Sequence, residues 1–148
     1  MGSVTSFKLA TLEDIIPIRH QVLRKGRPIE TASFIEDQLE STLHFGIYTE
    51  QNKIICCLTI TPNIYKGIEA WQLRGMATHH DAQGKGIGSQ LVKQSIEFVQ
   101  HKENKALMWC NARESAVRFY EKLGWVIDSK RFDIEPIGPH FKMKVDLI

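Results

Sequence analysis

Short apolar runs alternate along this chain with stretches whose apolar residues recur every three or four positions. Residues 7–10 read as a short strand. After them Ile15, Ile18, Val22 and Leu23 share one face of a helix, since a period of 3.6 brings such positions together. Thr11 or Asp14 caps it; with Asp14 as cap, Pro17 falls in the first turn, where a missing N–H is tolerated. Lys25-Gly26-Arg27-Pro28 ends this helix, and a second is expected over 34–43, with Phe34, Leu39 and Leu43 along one side. Strands at 45–49 and 54–61 form a hairpin about the polar turn Glu50-Gln51-Asn52-Lys53. Another strand covers 71–77. Ile87, Leu91, Val92, Ile96 and Val99 then mark the core face of a helix running from 87 to about 102. A strand at 106–110 follows, then a helix at 114–123 with Gly124 as its C′ residue. Strands at 125–127 and 141–145 close the sheet around the turn Pro136-Ile137-Gly138-Pro139.

Composition narrows the class. Hydrophobic residues make up 43% of 148 positions, which argues against disorder and suits a single domain over 1–148. The formal net charge of +2 is spread along the chain, so no polyanion-binding face and no nucleic-acid partner are expected. The apolar runs fall far short of the roughly 20 residues of a membrane span, and no charged and apolar leader opens the sequence. A cytoplasmic protein with no membrane partner is the expectation. Cys56, Cys57 and Cys110 lie in strand-like runs and read as buried thiols of a reducing compartment. The adjacent pair should face opposite sides of its strand. The opening Met1-Gly2-Ser3-Val4-Thr5-Ser6 fits a loose myristoylation pattern, which carries no weight without a eukaryotic source.

The residues richest in chemistry are Gln83-Gly84-Lys85-Gly86-Ile87-Gly88, between an expected strand and an expected helix. A glycine-rich turn entering a helix presents free amides at the positive end of the helix dipole, a site for phosphate. A strand-to-helix turn without a ligand is the plainer reading, but alternating glycines have little packing use. A Walker loop fails, because His79 stands where its first glycine belongs. A Rossmann loop matches Gly84 and Gly86 but meets Ser89 at its last glycine, and the next strand ends in Asn111 rather than an acid.

Gln-x-x-Gly-x-Gly preceded by Leu73-Arg74-Gly75-Met76-Ala77 resembles the acetyl-coenzyme A loop of the GNAT acetyltransferase superfamily. A second segment resembles the same family: Asn111-Ala112-Arg113 through Ala116, then Phe119-Tyr120-Glu121-Lys122-Leu123-Gly124-Trp125. The resemblance covers about residues 70–127 and is topological outside them. It implies an α/β fold with a mixed, centrally splayed β-sheet flanked by helices, open near Met76 and Asn111, and an N-acetyltransferase that uses acetyl-CoA as co-substrate without a metal. It places Met76, Ala77 and Thr78 along the pantetheine arm, with a main-chain N–H near Ala77 polarising the thioester. The pyrophosphate falls to Gln83, Gly84, Lys85, Gly86, Ile87, Gly88 and Ser89. Asn111, Ala116, Phe119 and Tyr120 complete the cofactor side, and Tyr120 is the expected general acid for the leaving thiolate.

Plainer readings stand beside these roles. Tyr120 and Phe119 can both pack a helix on the sheet, and Asn111 can cap that helix. The general base is open among His44, Glu69, His79, His80, His140 and water. His79-His80-Asp81 has metal-ligand residue types, but neighbouring histidines on a loop rarely converge on one ion. Arg19, Arg24, Lys25 and Arg27 cluster where the family's acceptor site lies; they read either as a rim for an acidic acceptor or as a solvated face. The acceptor, a small-molecule or peptide amine, is not legible, and the resemblance leaves room for a homodimer. A coenzyme A-binding sensor without turnover is the alternative function.

Overall fold

The computed structural model describes residues 4–102 and 105–148; residues 1–3 of the myristoylation-like pattern lie outside them. Four strands, β1 (Thr5–Leu9), β2 (Leu43–Thr49), β3 (Ile54–Pro62) and β4 (Trp71–Thr78), pair antiparallel in sequence order. Helix α1 (Leu12–Leu23) follows β1, and helix α2 (Ile87–Gln100) carries the chain from β4 to the parallel strand β5 (Leu107–Arg113). The short α3 (Val117–Lys122) comes next. Strands β6 (Val126–Ile127), β7 (Phe132–Ile134) and β8 (Gly138–Asp146) end the fold, with β8 between β5 on one side and β6 and β7 on the other. The β7 strand, hairpinned to β8, was not foreseen from the sequence. No described helix is long and apolar enough to cross a membrane.

The two faces of the sheet have separate cores. Leu91, Val92 and Val99 of α2 join Tyr120 of α3 over Phe45, Ile47, Cys56 and Leu58. Ile15 and Ile18 of α1 pack on Cys57 and Ala77 from the other side. Neighbouring Cys56 and Cys57 thus face opposite ways, as strand alternation requires.

The sheet is split in the middle. Strands β4 and β5 pair only at Trp71↔Met108 and Gln72↔Trp109, so beyond those residues they diverge, as expected at Met76 and Asn111. A bulge causes this on the β4 side. Thr59 pairs with Arg74 and Cys57 with Ala77, which leaves Gly75 and Met76 opposite Leu58 alone. The extra residue bends the strand. Only glycine fits there: φ is +59°, and a Cβ would stand 2.8 Å from Arg19 Nε and 2.9 Å from the Phe34 ring.

The helix expected over 34–43 is absent. Two 3₁₀ turns, Ile29–Ala32 and Ile35–Gln38, replace it, and β2 begins at Leu43. Buried polar chemistry explains the difference. Asp37 accepts the Phe34 N–H at 2.7 Å, closing a local turn that competes with helix. It also pairs with the fully buried Arg19 at 2.7 Å. Arg19 further donates to the Ala32 carbonyl and to Thr59 Oγ1, at 2.7 and 2.8 Å. Removing one partner of such a buried pair costs about 3–5 kcal/mol, so this network pins the α1–β2 connection against the sheet. Arg19 is therefore structural and does not belong to an exposed basic rim.

One of two expected caps is decided, and two boundaries differ. Thr11 is the N-cap of α1, its Oγ1 accepting from the Asp14 amide at 3.2 Å, so Pro17 lies inside the helix and not in its first turn. Strand β5 runs through Asn111 to Arg113, and a 3₁₀ turn, Glu114–Ala116, precedes α3. Gly124, at φ +92°, follows that helix as expected.

Candidate active site

A cavity of about 620 Å³ fills the opening between β4 and β5. It is reached from both faces of the sheet. On the α2 side its wall includes Met76, Thr78, Gln83, Ala116, Phe119 and Tyr120. On the α1 side it includes Leu23, Arg24, Phe34, Arg113, Ile134 and His140, with Ala77 and Asn111 between. Eight of the expected site residues therefore converge on one cavity.

The six loop residues from Gly84 to Ser89 lie beside the cavity at the start of α2. Gly84 and Gly86 have φ of +76° and +78°, and Gly86 is the N-cap, with no side chain satisfying the helix amides. The first bond of α2 runs from Gln90 N to Gly86 O at 3.1 Å, which leaves the amides of Ile87, Gly88 and Ser89 without acceptors. A Cβ at Gly84 or Gly86 would meet nothing within 4 Å, so the space outside the loop is open. Gln83 braces the loop by donating to the Thr78 carbonyl at 3.1 Å. These features fit a pyrophosphate.

The divergent strand edges fit an extended, amide-bearing arm. The His79 N–H bonds to Ile55 O at 2.9 Å, toward β3, and the Ala77 amide likewise faces the Cys57 sulfur. Along an extended strand successive amides alternate, so those of Met76 and Thr78 face the gap.

Tyr120 is 5% exposed, and its hydroxyl points at Met76 Sδ, 3.7 Å away. Burial first, then the neighbouring Cys110, holds its pKa well above the ordinary phenol value. It is a proton donor at any physiological pH. Cys110 in the same wall is pushed up to about 12, chiefly by burial, so it stays a thiol and a poor nucleophile.

The candidate bases separate cleanly. His140 is buried in the cavity wall, and its Nδ1 lies 2.7 Å from the Gly138 carbonyl. A carbonyl only accepts, so Nδ1 carries a proton there, which leaves Nε2 as the ring nitrogen available for proton exchange. His44 instead spans Thr59 Oγ1 and the Asp37 carbonyl, at 2.7 and 3.0 Å, within the network that holds the 3₁₀ turns. Glu69 lies against a separate surface hollow with Asn63 and Lys105. His79 accepts from the Asp81 amide at 3.2 Å and stacks on exposed His80. The ligand atoms of His79, His80 and Asp81 come within 4.8 Å of one another, but outside the cavity.

Asn111 does not cap α3. It sits inside β5, and its Oδ1 accepts from Lys142 Nζ at 3.0 Å. Of the basic cluster, Arg24 reaches the cavity, whereas Lys25 is exposed and Arg27 half-buried at the rim. The sequence reading missed Phe34, Arg113 and Ile134. Arg113 lies two residues past Asn111 and shares its face; ending the strand at 110 concealed it.

A family model described as an acetyltransferase (GNAT) domain matches residues 41–127. An uncharacterized N-acetyltransferase of Bacillus subtilis (strain 168), YitI, is 33% identical over 139 residues, 92% of each chain. Among solved structures, a candidate N-acetyltransferase of Lactobacillus plantarum superposes with a TM-score of 0.83 at 17% identity, covering 98% of this chain and 99% of that one. An aminoglycoside 6′-N-acetyltransferase complexed with coenzyme A gives a TM-score of 0.78 at 14% identity, over 97% of each chain. At those identities the structural likeness is one of fold.

Proposed function

Because the chain belongs to the GNAT acetyltransferase family, we propose that it moves an acetyl group directly from acetyl-CoA to a primary amine of a small molecule or peptide, across the β4–β5 opening. The observation that carries this reading is the convergence of Tyr120 and His140 on one cavity from opposite faces of the sheet. Acetyl-CoA would lie on the α2 side, with its pyrophosphate on the loop amides from Gln83 to Ser89 and its arm along Met76 and Thr78. The amine would enter from the α1 side.

The chemistry balances with the groups present. His140 Nε2 takes a proton from the amine, whose nitrogen bonds to the thioester carbonyl carbon. The amide of Met76 or Thr78 supports the charge on oxygen. The C–S bond breaks with its electron pair on sulfur, and Tyr120 supplies the proton that makes the thiol. Solvent restores both residues, leaving an amide and coenzyme A. No metal is called for. Cys110, kept as a thiol by burial, supports direct transfer over an acyl-cysteine route. A coenzyme A sensor without turnover needs neither a buried proton donor at Tyr120 nor a histidine across the opening from it.

Thiol release from acetyl-CoA, screened against amino acids, polyamines, aminoglycosides and peptides, tests the function. Acceleration by at least one amine is the expected outcome; coenzyme A binding with no release for any amine favours the sensor. His140→Gln should lower kcat/KM about 10²-fold with the Kd for coenzyme A unchanged. An unchanged kcat/KM in His140→Gln would assign the base to water.

A further inference from the structure

The geometry points to an oxyanion subsite on the acceptor side, in which Arg24 and Arg113 hold a carboxylate or phosphate of the acceptor while its amine lies at His140 Nε2. This deepens the transferase reading and rests on it.

The charge balance around the α1-side mouth is uneven. The neighbouring carboxylates are already paired: Asp37 with Arg19, Glu36 with Arg74, and Glu114, next to Arg113, with Arg131. Arg24 and Arg113 line the cavity half-buried, and neither pairs with a carboxylate among the described residues. Each donates one N–H to the same atom, the Leu23 carbonyl, at 3.1 and 3.4 Å. Capping the C-terminus of α1 accounts for that one donor on each fork. It leaves the rest of both guanidinium groups for a ligand, and planar forks of this kind match carboxylate and phosphate oxygens in pairs.

The two cations also work against each other. Arg24 is held below the usual arginine value by burial first, then by Arg113, Arg27, Arg19 and Arg74; Arg113 is lowered by burial and by Arg27. Bringing like charges together in a partly desolvated wall is unfavourable, and a bound anion relieves it. The base is close: Arg113 and His140 are cross-strand partners on β5 and β8, and such partners are neighbours on one sheet face. Phe34, with Arg24 over its ring at 5.9 Å, closes the other side. An amine and an anion of one acceptor can therefore be held together.

The test uses matched acceptors: amino acids, dipeptides and aminoalkyl phosphates, each beside the same skeleton as its amide or with the anion removed. The anionic member of a pair should have kcat/KM at least about tenfold higher, the worth of one charge-assisted hydrogen bond. The carboxylate and phosphate arms show which anion is preferred. Arg24→Gln or Arg113→Gln should bring the ratio within a pair toward one. Without turnover, glutarate and inorganic phosphate titrated into coenzyme A-loaded protein should perturb the resonances of this wall, and Arg113→Gln should weaken that binding tenfold. Equal use of charged and neutral partners, with no binding of either anion, would overturn the subsite while leaving the transferase reading intact. Absence of turnover for every acceptor, with coenzyme A bound, would defeat the transferase reading, and this inference with it.

Discussion

Tyr120→Phe is expected to lower kcat by about 10²–10⁴-fold, the usual worth of a general acid, with the affinity for coenzyme A unchanged. The substitution is clean because the ring does the packing. It stacks near Phe119 and Trp125, with centroids 5.1 and 5.0 Å apart, and phenylalanine keeps those contacts. Only the hydroxyl goes, and the partners it leaves are sulfur atoms that need no hydrogen bond. A raised phenol pKa looks at first like a weaker acid, but the same burial acts on any thiol formed beside it. Cys110, pushed up to about 12, shows the size of that effect in this cavity. The pH dependence follows with a definite sign. The active donor is the protonated phenol, and a pKa held well above the ordinary value keeps it protonated to higher pH. Wild-type kcat should therefore show no decline at about pH 10, where an unperturbed tyrosine ionises. Single-turnover thiol release measures both effects. Full turnover by Tyr120→Phe, with chemistry rate-limiting, would make Tyr120 a packing residue and leave protonation to solvent.

The parts of the fold that were legible are those where one local signal had no rival. Leu91, Val92 and Val99 are buried on α2 where the period put them. The Glu50–Lys53 turn closes its hairpin with Thr49 N to Lys53 O at 2.9 Å. The segment 34–43 misled because Phe34, Leu39 and Leu43 share a helical spacing for unrelated reasons. Phe34 lies under the guanidinium groups of Arg19 and Arg74, at 4.0 and 4.5 Å, whereas Leu39 is exposed and Leu43 already belongs to β2. Periodicity cannot see a buried Arg19–Asp37 pair formed across 18 positions of sequence.

The site divides along the same line. The loop proposed for the pyrophosphate is written in contiguous residues, since a turn that must present amides needs closely spaced glycines. The side proposed for the acceptor is assembled from α1, the 3₁₀ turns, β5 and the β7–β8 hairpin, each giving one or two side chains. No spacing rule links Arg24 to Arg113 or to His140. His140 was one of five side chains open as the base, expected where the last hairpin lines the acceptor side, and its place in the cavity wall sets it apart from the other four. The splay needed tertiary information too: Gly75 was visible in the motif, but its reason is the crowding of Arg19 and Phe34 at the bulge.

Gly86→Val should weaken coenzyme A binding by at least about a hundredfold, equivalent to losing one or two charge-assisted hydrogen bonds from the pyrophosphate. Two causes act together at this residue. Its φ of +78° lies in the left-handed region, where a β-branched side chain is a strong outlier, so the loop must shift and carry its amides with it. A Cβ there would meet no protein atom within 4 Å; valine would instead project into the open space from which an anion approaches the start of α2. The interior is untouched, so the loss of stability should stop at backbone strain, of order 1–3 kcal/mol. Gly86→Asn separates the two causes, because asparagine tolerates the left-handed region. If strain dominates, Gly86→Asn recovers most of the affinity; if the side chain itself excludes the phosphate, both variants lose it. Calorimetry with coenzyme A decides, with urea unfolding to confirm that each variant is folded. Unchanged coenzyme A affinity in Gly86→Val would remove the pyrophosphate from this loop, as would tight binding of ATP or NAD by the wild type with none of coenzyme A.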